Sequence, residues 1–179
     1  GSSGKPSFTI SVYDDNVSEN FESLSMNISG VMNATLGVSS DTATIIDDEG
    51  KPSLTINDKT VDEDAGTMTF TVTLSGQADS NVTFTYATSD GTAEAGSDYT
   101  AVGGTGTIIA GATTTTIVVP ILNDNVYENT ESFNMNLSAP STNATIADGI
   151  GIGTIVDDEA KPSLTINDKT VDEDAGTMT

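Results

Sequence analysis

Met68, Phe70, Val72 and Leu74 alternate with Thr67, Thr69, Thr71 and Thr73. A period of two sends one set to each face of an extended chain, so this segment predicts a half-buried strand. Val82, Phe84 and Tyr86 repeat the pattern, as do Ile117, Val119 and Ile121, and then Phe133, Met135 and Leu137. Leu54 with Ile56, and Ile150 with Ile152, supply an opening and a closing strand. Asp90-Gly91, Gly103-Gly104 and Ala110-Gly111 punctuate the series as turns. No segment carries a helical stripe. Such a run of short strands predicts an all-β, immunoglobulin-like antiparallel Greek-key β-sandwich. Pro120 falls inside one strand pattern; having no N–H to donate, it belongs on a sheet edge or at a bulge. Ser11 holds the matching place earlier in the chain, so the proline is dispensable.

The strand pattern recurs because the sequence does. KPSLTINDKTVDEDAGTMT occurs at Lys51–Thr69 and again, unchanged, at Lys161–Thr179, an offset of 110 residues. Phe8–Ser29 echoes Ile117–Ser138, and Ala43–Ser53 echoes Gly153–Ser163. A tandem array of one domain follows. Residues 1–50 read as the C-terminal half of one repeat, 51–160 as a complete repeat and 161–179 as the start of a further one. Both end pieces lack a counterpart of roughly Phe70–Thr115. Head-to-tail contact therefore cannot rebuild a whole unit from them. Strands left unpaired at Phe8–Val12 and Leu24–Ile28 invite self-association by strand exchange.

Composition narrows the chemistry. The formal charge is −22, with five Lys, no Arg and no His. Nucleic acid and anionic membranes need basic patches, so both are poor partners. No apolar run reaches membrane-spanning length, which argues against direct membrane insertion. Cys is absent, so disulfides and thiol chemistry contribute nothing. Paired carboxylates can hydrolyse glycosides, but such sites sit in clefts with sugar-holding aromatics, and this chain has no Trp. A non-enzymatic role is expected.

The carboxylates gather at recurring loop positions. In the complete repeat they are Asp62-Glu63-Asp64, then Asp124, Glu128 and Glu131, then Asp157-Asp158-Glu159, with Asp98 in a fourth loop. Strand topology places these loops toward one end of a sandwich. Carboxylates crowded together either protonate or admit a hard cation. Calcium accepts six to eight oxygens in flexible geometry, whereas zinc would want His or Cys. Asn123–Glu131 lacks the central glycine and flanking helices of an EF-hand loop. Asp90-Gly91 reads as a tight turn rather than a ligand, and Tyr86 and Tyr99 as core or corner residues.

DEDAG (Asp62–Gly66), TSDGTAEAGSDY (Thr88–Tyr99), NDNVYENTESF (Asn123–Phe133) and TIVDDE (Thr154–Glu159) resemble, in order and spacing, the Calx-beta domain. That family includes calcium-sensing modules of sodium/calcium exchangers, the tail of an integrin beta subunit, and tandem arrays in large surface proteins. The resemblance implies calcium ions held by Glu63, Asp98, Asp124, the Val126 carbonyl, Glu128, Glu131, Asp157 and Asp158. It carries over to Asp14, Asp15, Val17, Glu19, Glu22, Asp47 and Asp48 in the first repeat, and to Glu173 in the third. Asn123 and Glu159 stand where exchanger-type members have aspartates, which implies fewer ions or weaker binding.

The expectation is a calcium-binding structural repeat of a large extracellular or cell-surface adhesin. Its partners would be calcium ions and neighbouring repeats, with calcium stiffening joints as short as Asp157–Pro162. The rival is a calcium-sensing regulatory module of a membrane transporter.

Overall fold

The computed structural model describes residues 7–178. In chain order the strands are β1 (Val17–Ser18), β2 (Glu22–Asn27), β3 (Ser40–Ile45), β4 (Ser53–Ile56), β5 (Lys59–Asp62), β6 (Thr67–Leu74), β7 (Gln77–Ala78), β8 (Val82–Ser89), β9 (Gly103–Ile108), β10 (Thr114–Pro120), β11 (Glu131–Ser138), β12 (Thr145–Asp148) and β13 (Ile150–Val156). Two sheets face each other between Ser53 and Val156. One has the order β10-β6-β4-β12 and the other β5-β13-β11-β8-β9.

Within these two sheets neighbours run antiparallel except at two places, where β12 lies parallel to β4 and β13 parallel to β5. Both exceptions arise because the opening and the closing segments each divide between the sheets, β12 joining β4 in one and β13 joining β5 in the other. The opening segment crosses between sheets at Asn57-Asp58, so β4 serves one sheet and β5 the other. The two side chains at the crossing bind one sheet each. Asn57 Oδ1 accepts the Thr71 N–H at 2.6 Å, and Asp58 Oδ1 accepts the Ile152 N–H at 2.8 Å. Nothing in the alternation of apolar positions marks that switch.

The alternation does place the core. Leu54, Met68, Phe70, Val72, Val119, Phe133 and Met135 are fully buried, with threonines on the outer face of β6. Phe133 is the hub: Phe70 meets it edge-on at 6.0 Å between ring centroids, and Tyr99 stacks on it at 4.2 Å. Such pairs add about 0.5–1.5 kcal/mol beyond area burial. Pro120 ends β10, an edge strand, as its missing N–H requires.

The closing strand reverses one expectation. β13 forms, but Ile150 and Ile152 point outward, 56% and 45% exposed, while Gly151, Gly153 and Ile155 face the core. Space decides this. A Cβ on Gly153 would lie 2.6 Å from the Phe133 ring and 2.8 Å from Met68 Sδ. The large neighbours already fill the layer, so the inward positions of β13 must be small.

The flanking segments differ. β2 and β3 pair antiparallel as a two-stranded sheet, so Leu24–Asn27 is paired on one side rather than left unpaired. Phe8–Val12 joins no strand, and Phe8, Phe21 and Ile28 stay exposed. β1 pairs parallel with β7, linking the first segment to the sandwich. Residues 163–171 form no strand, although Glu173–Ala175 makes a one-turn 3-10 helix like that at Glu63–Ala65.

Candidate metal centre

Four segments bring acids to one end of the sandwich: the 3-10 turn after β5, the β8–β9 loop, the β10–β11 loop and the residues after β13. Each is held in place by backbone donors. Asp62 is extended and Gly66 left-handed (φ 69°), so the chain turns tightly and tucks Glu63 inward. Glu63 is 5% exposed, the buried charged side chain of the described residues, and its Oε1 accepts the Asp124 N–H at 2.9 Å. Asp124 Oδ1 in turn accepts the Val126 N–H at 2.6 Å, an Asx turn that shapes the start of the loop. Asp157 Oδ1 accepts the Glu128 N–H at 3.0 Å, tying that loop to the end of β13.

The β8–β9 loop is built around Tyr99 and Asp90. Tyr99 O–H donates to Asp90 Oδ1 at 2.5 Å, and the same oxygen accepts the Ala95 N–H at 2.9 Å. These bonds, the hydroxyl first, hold the Asp90 carboxyl below its ordinary value, and burial with Asp90 pushes the Tyr99 phenol up to about 12. Asp90 thus has a structural role, as its Asp-Gly turn suggests. Asp98 is fixed a few residues on, its Oδ2 accepting the Glu94 N–H at 2.6 Å.

Two carboxylate groups result. Asp98, Glu128 and Glu131 each place an oxygen within 4.8 Å of the others, and so do Glu63, Asp158 and Glu159. A crevice of about 10 Å³ lies among Glu63, Asp98, Glu128, Glu131 and Asp157, near the room of one ion or water. Burial, then the hydrogen bond to Asp98 and its charge, push Glu131 up to about 7. Burial, then Asp98 and Asp124, raise Glu128 as well. Glu159 is raised by burial and by Asp158, and its Oε2 is a buried oxygen with no hydrogen-bond partner. Oxygen donors that repel one another, one of them orphaned, fit a hard divalent cation.

A family model described as the Calx-beta domain matches residues 2–50 and 46–170. The chain belongs to the Calx-beta family. It is similar to the extracellular matrix organizing protein FRAS1 of Mus musculus, with 30% identity over 193 aligned positions that cover 98% of this chain and 5% of that protein. The chain therefore spans a small fraction of that relative's length. Among solved structures, the apo-form Calx CBD1 domain is 26% identical with a TM-score of 0.58, covering 61% of this chain and 99% of that one. The calcium binding domain CBD12 of CALX1.1 is 27% identical with a TM-score of 0.57, covering 59% and 45%.

Within this Calx-beta chain the expected ligand positions divide. Glu63, Asp98, Glu128, Glu131, Asp157 and Asp158 come together at the two groups and the crevice. Asp124 acts beside them through its charge on Glu128 and its hydrogen bonds, and Val126 lies outside the crevice lining, 58% exposed. In the first segment, Asp14, Asp15, Glu19, Glu22, Asp47 and Asp48 line an open cavity of about 290 Å³. Asp14 and Asp48 group there with Glu49, while Val17 is engaged in strand β1. Glu173 sits exposed in its turn, outside any carboxylate group among the described residues. Glu159 and Glu49 were not among the expected ligands. Each is the third acid of an Asp-Asp-Glu run and offers a carboxylate oxygen within 4.8 Å of its group.

Proposed function

We propose that this chain is a non-enzymatic, calcium-binding stretch of tandem Calx-beta repeats from a large extracellular or cell-surface adhesin. Residues 1–50 are the back half of one repeat, 51–160 a complete repeat and 161–179 the opening of the next. Calcium occupies the acidic end of the complete repeat, with Glu63, Asp98, Asp124, Glu128, Glu131, Asp157 and Asp158 as ligand candidates and Glu159 joining them. The observation that carries this reading is the convergence of six carboxylates from four segments into two groups whose oxygens lie within 4.8 Å. Without a cation that arrangement is held together against its own charge; with one, repulsion becomes coordination. The ions sit next to Ala160-Lys161-Pro162, so they stiffen the joint where Pro162 already restricts the backbone. The extracellular placement is supported by the similarity to an extracellular matrix organizing protein.

The test is a calorimetric calcium titration of the chain joined to small-angle scattering. Heat of binding together with a longer maximum dimension in calcium than in chelator is expected. Equal dimensions in both would remove the stiffening role.

A second reading, a calcium-sensing module of a membrane transporter, draws on the similarity to the Calx CBD domains. Counting repeats in the parent protein separates the two: a dozen or more supports the extender, two the sensor. Self-association by strand exchange draws on the one-sided pairing of β2 and the exposed Phe8, Phe21 and Ile28 beside it. A strictly monomeric elution profile across concentrations would count against it.

A further inference from the structure

The joint between the first segment and the complete repeat is built from backbone pairing. Val17 pairs with Gln77 and Ser18 with Ala78, in parallel, and the Asp79 N–H donates to the Ser18 carbonyl at 3.1 Å. The receiving strand is anchored: Ala78 is 3% exposed and its carbonyl accepts the Gly111 N–H at 3.0 Å. The incoming strand is shaped by its own loop, where Asp15 Oδ1 accepts the Val17 N–H at 2.8 Å.

The same loop recurs one repeat later. Asp124 Oδ1 accepts the Val126 N–H at 2.6 Å, the counterpart of the Asp15–Val17 bond. Val126-Tyr127 matches Val17-Ser18 in sequence, yet Val126 is 58% and Tyr127 38% exposed, and no strand pairs with them among the described residues. Lys161-Pro162-Ser163 follows as Lys51-Pro52-Ser53 does at the first joint.

We infer that Val126-Tyr127 is a preformed docking edge for the residues of the following repeat that match Gln77-Ala78, so that every joint in the array is made by one two-residue parallel strand pair. This rests on the tandem-array reading above. The pairing fixes the rotation from one repeat to the next, because backbone register allows no free swivel. It also couples the joint to the acidic end. Asp124 shapes the docking loop through its own carboxylate, and its N–H is held by Glu63. The seam places like charge on like: Glu19 and Asp79 line one cleft of about 220 Å³ at the first joint, with Lys51 on its wall. At the second joint Glu128 and Lys161 occupy the corresponding sequence positions.

The chain contains no cysteine, so introduced pairs report without background. One pair is Val17→Cys with Gln77→Cys in the present chain. The other is Val126→Cys with Gln77→Cys of a second copy of residues 51–160, inserted after Ala160. The control replaces the latter partner by Thr69→Cys of the inserted copy, an exposed position toward the end of β6 farther from β7. Both pairs are expected to close to disulfides about tenfold faster than the control, because facing strand positions meet the distance a disulfide needs. Failure of the Val17 pair, or closure of the Val126 pair no faster than the control, would overturn the inference. Calcium-dependent melting of the same reduced chains separates the two ideas. A calcium response without cross-linking removes the strand pair and leaves the ion; cross-linking without a calcium response does the opposite.

Discussion

Lys51–Thr69 and Lys161–Thr179 are the same nineteen residues in two surroundings. In the first, Leu54 and Ile56 are 0% and 5% exposed within β4, and Met68 is fully buried in β6. In the second, Leu164 and Ile166 are 102% and 98% exposed, Met178 is 59% exposed, and no strand forms. Yet the 3-10 turn survives the change. Asp62 and Asp172 have φ/ψ of −74°/154° and −72°/149°, and Gly66 and Gly176 have φ of 69° and 75°. The turn is written locally, by residues that accept a tight left-handed exit. The strand is not, because its hydrogen bonds and apolar contacts come from β6, β12 and β13. The same separation governs chemistry: Glu63 is buried among acids from three other segments, and Glu173, in an equivalent turn, faces solvent.

The matched leucines give the largest test of this difference. Leu54→Ala should destabilise the chain by about 2–5 kcal/mol, while Leu164→Ala should stay within about 0.5 kcal/mol. Denaturant midpoints of both variants check it; equal losses would show that the second copy also packs.

A cross-strand exchange sharpens the contrast between repeats. Phe133 faces Gly153 across β11 and β13, and the matching pair in the first segment is Leu24 facing Ala43 across β2 and β3. The larger partner shrinks where the smaller one grows. Gly153→Ala should cost about 1–3 kcal/mol through the Phe133 and Met68 contacts, and adding Phe133→Leu should return part of that loss. Additive losses in the double variant would break the account of why β13 carries glycines.

The smallest effect is a pH slope. Glu131 is held up to about 7, above its ordinary 4.5, by burial first and then by Asp98. The protonated form therefore favours the calcium-free fold: this stability is fully present below about pH 4.5 and is lost as pH rises through about 7. Calcium requires the ionised form, so its stabilising effect should grow over the same window. Melting in chelator across this range should show the decline, and Glu131→Gln should flatten it.

Much of the sandwich was legible because core positions recur at every second residue: Met68, Phe70, Val72 and Leu74 between threonines in β6, Phe133, Met135 and Leu137 between asparagines in β11, and Ile117 and Val119 in β10. The outward turn of Ile150 and Ile152 was not. Apolar periodicity cannot tell a buried face from an exposed one when the inward residues are glycines, and only the bulk of Phe133 and Met68 reveals it. The switch at Asn57-Asp58 was hidden too, since it depends on which sheet each side chain meets. For the site, recurrence of acids at loop positions was enough to point to one pole. The inclusion of Glu159 was not, because side-chain reach depends on how the chain leaves β13.

The most direct test of the central claim is thermal unfolding of the chain in millimolar calcium and in excess chelator, beside Glu63→Gln and Glu173→Gln. A higher melting temperature in calcium is expected for the parent and for Glu173→Gln, with most of that gain lost in Glu63→Gln. Identical melting of the parent in both solutions would contradict a metal centre at this pole.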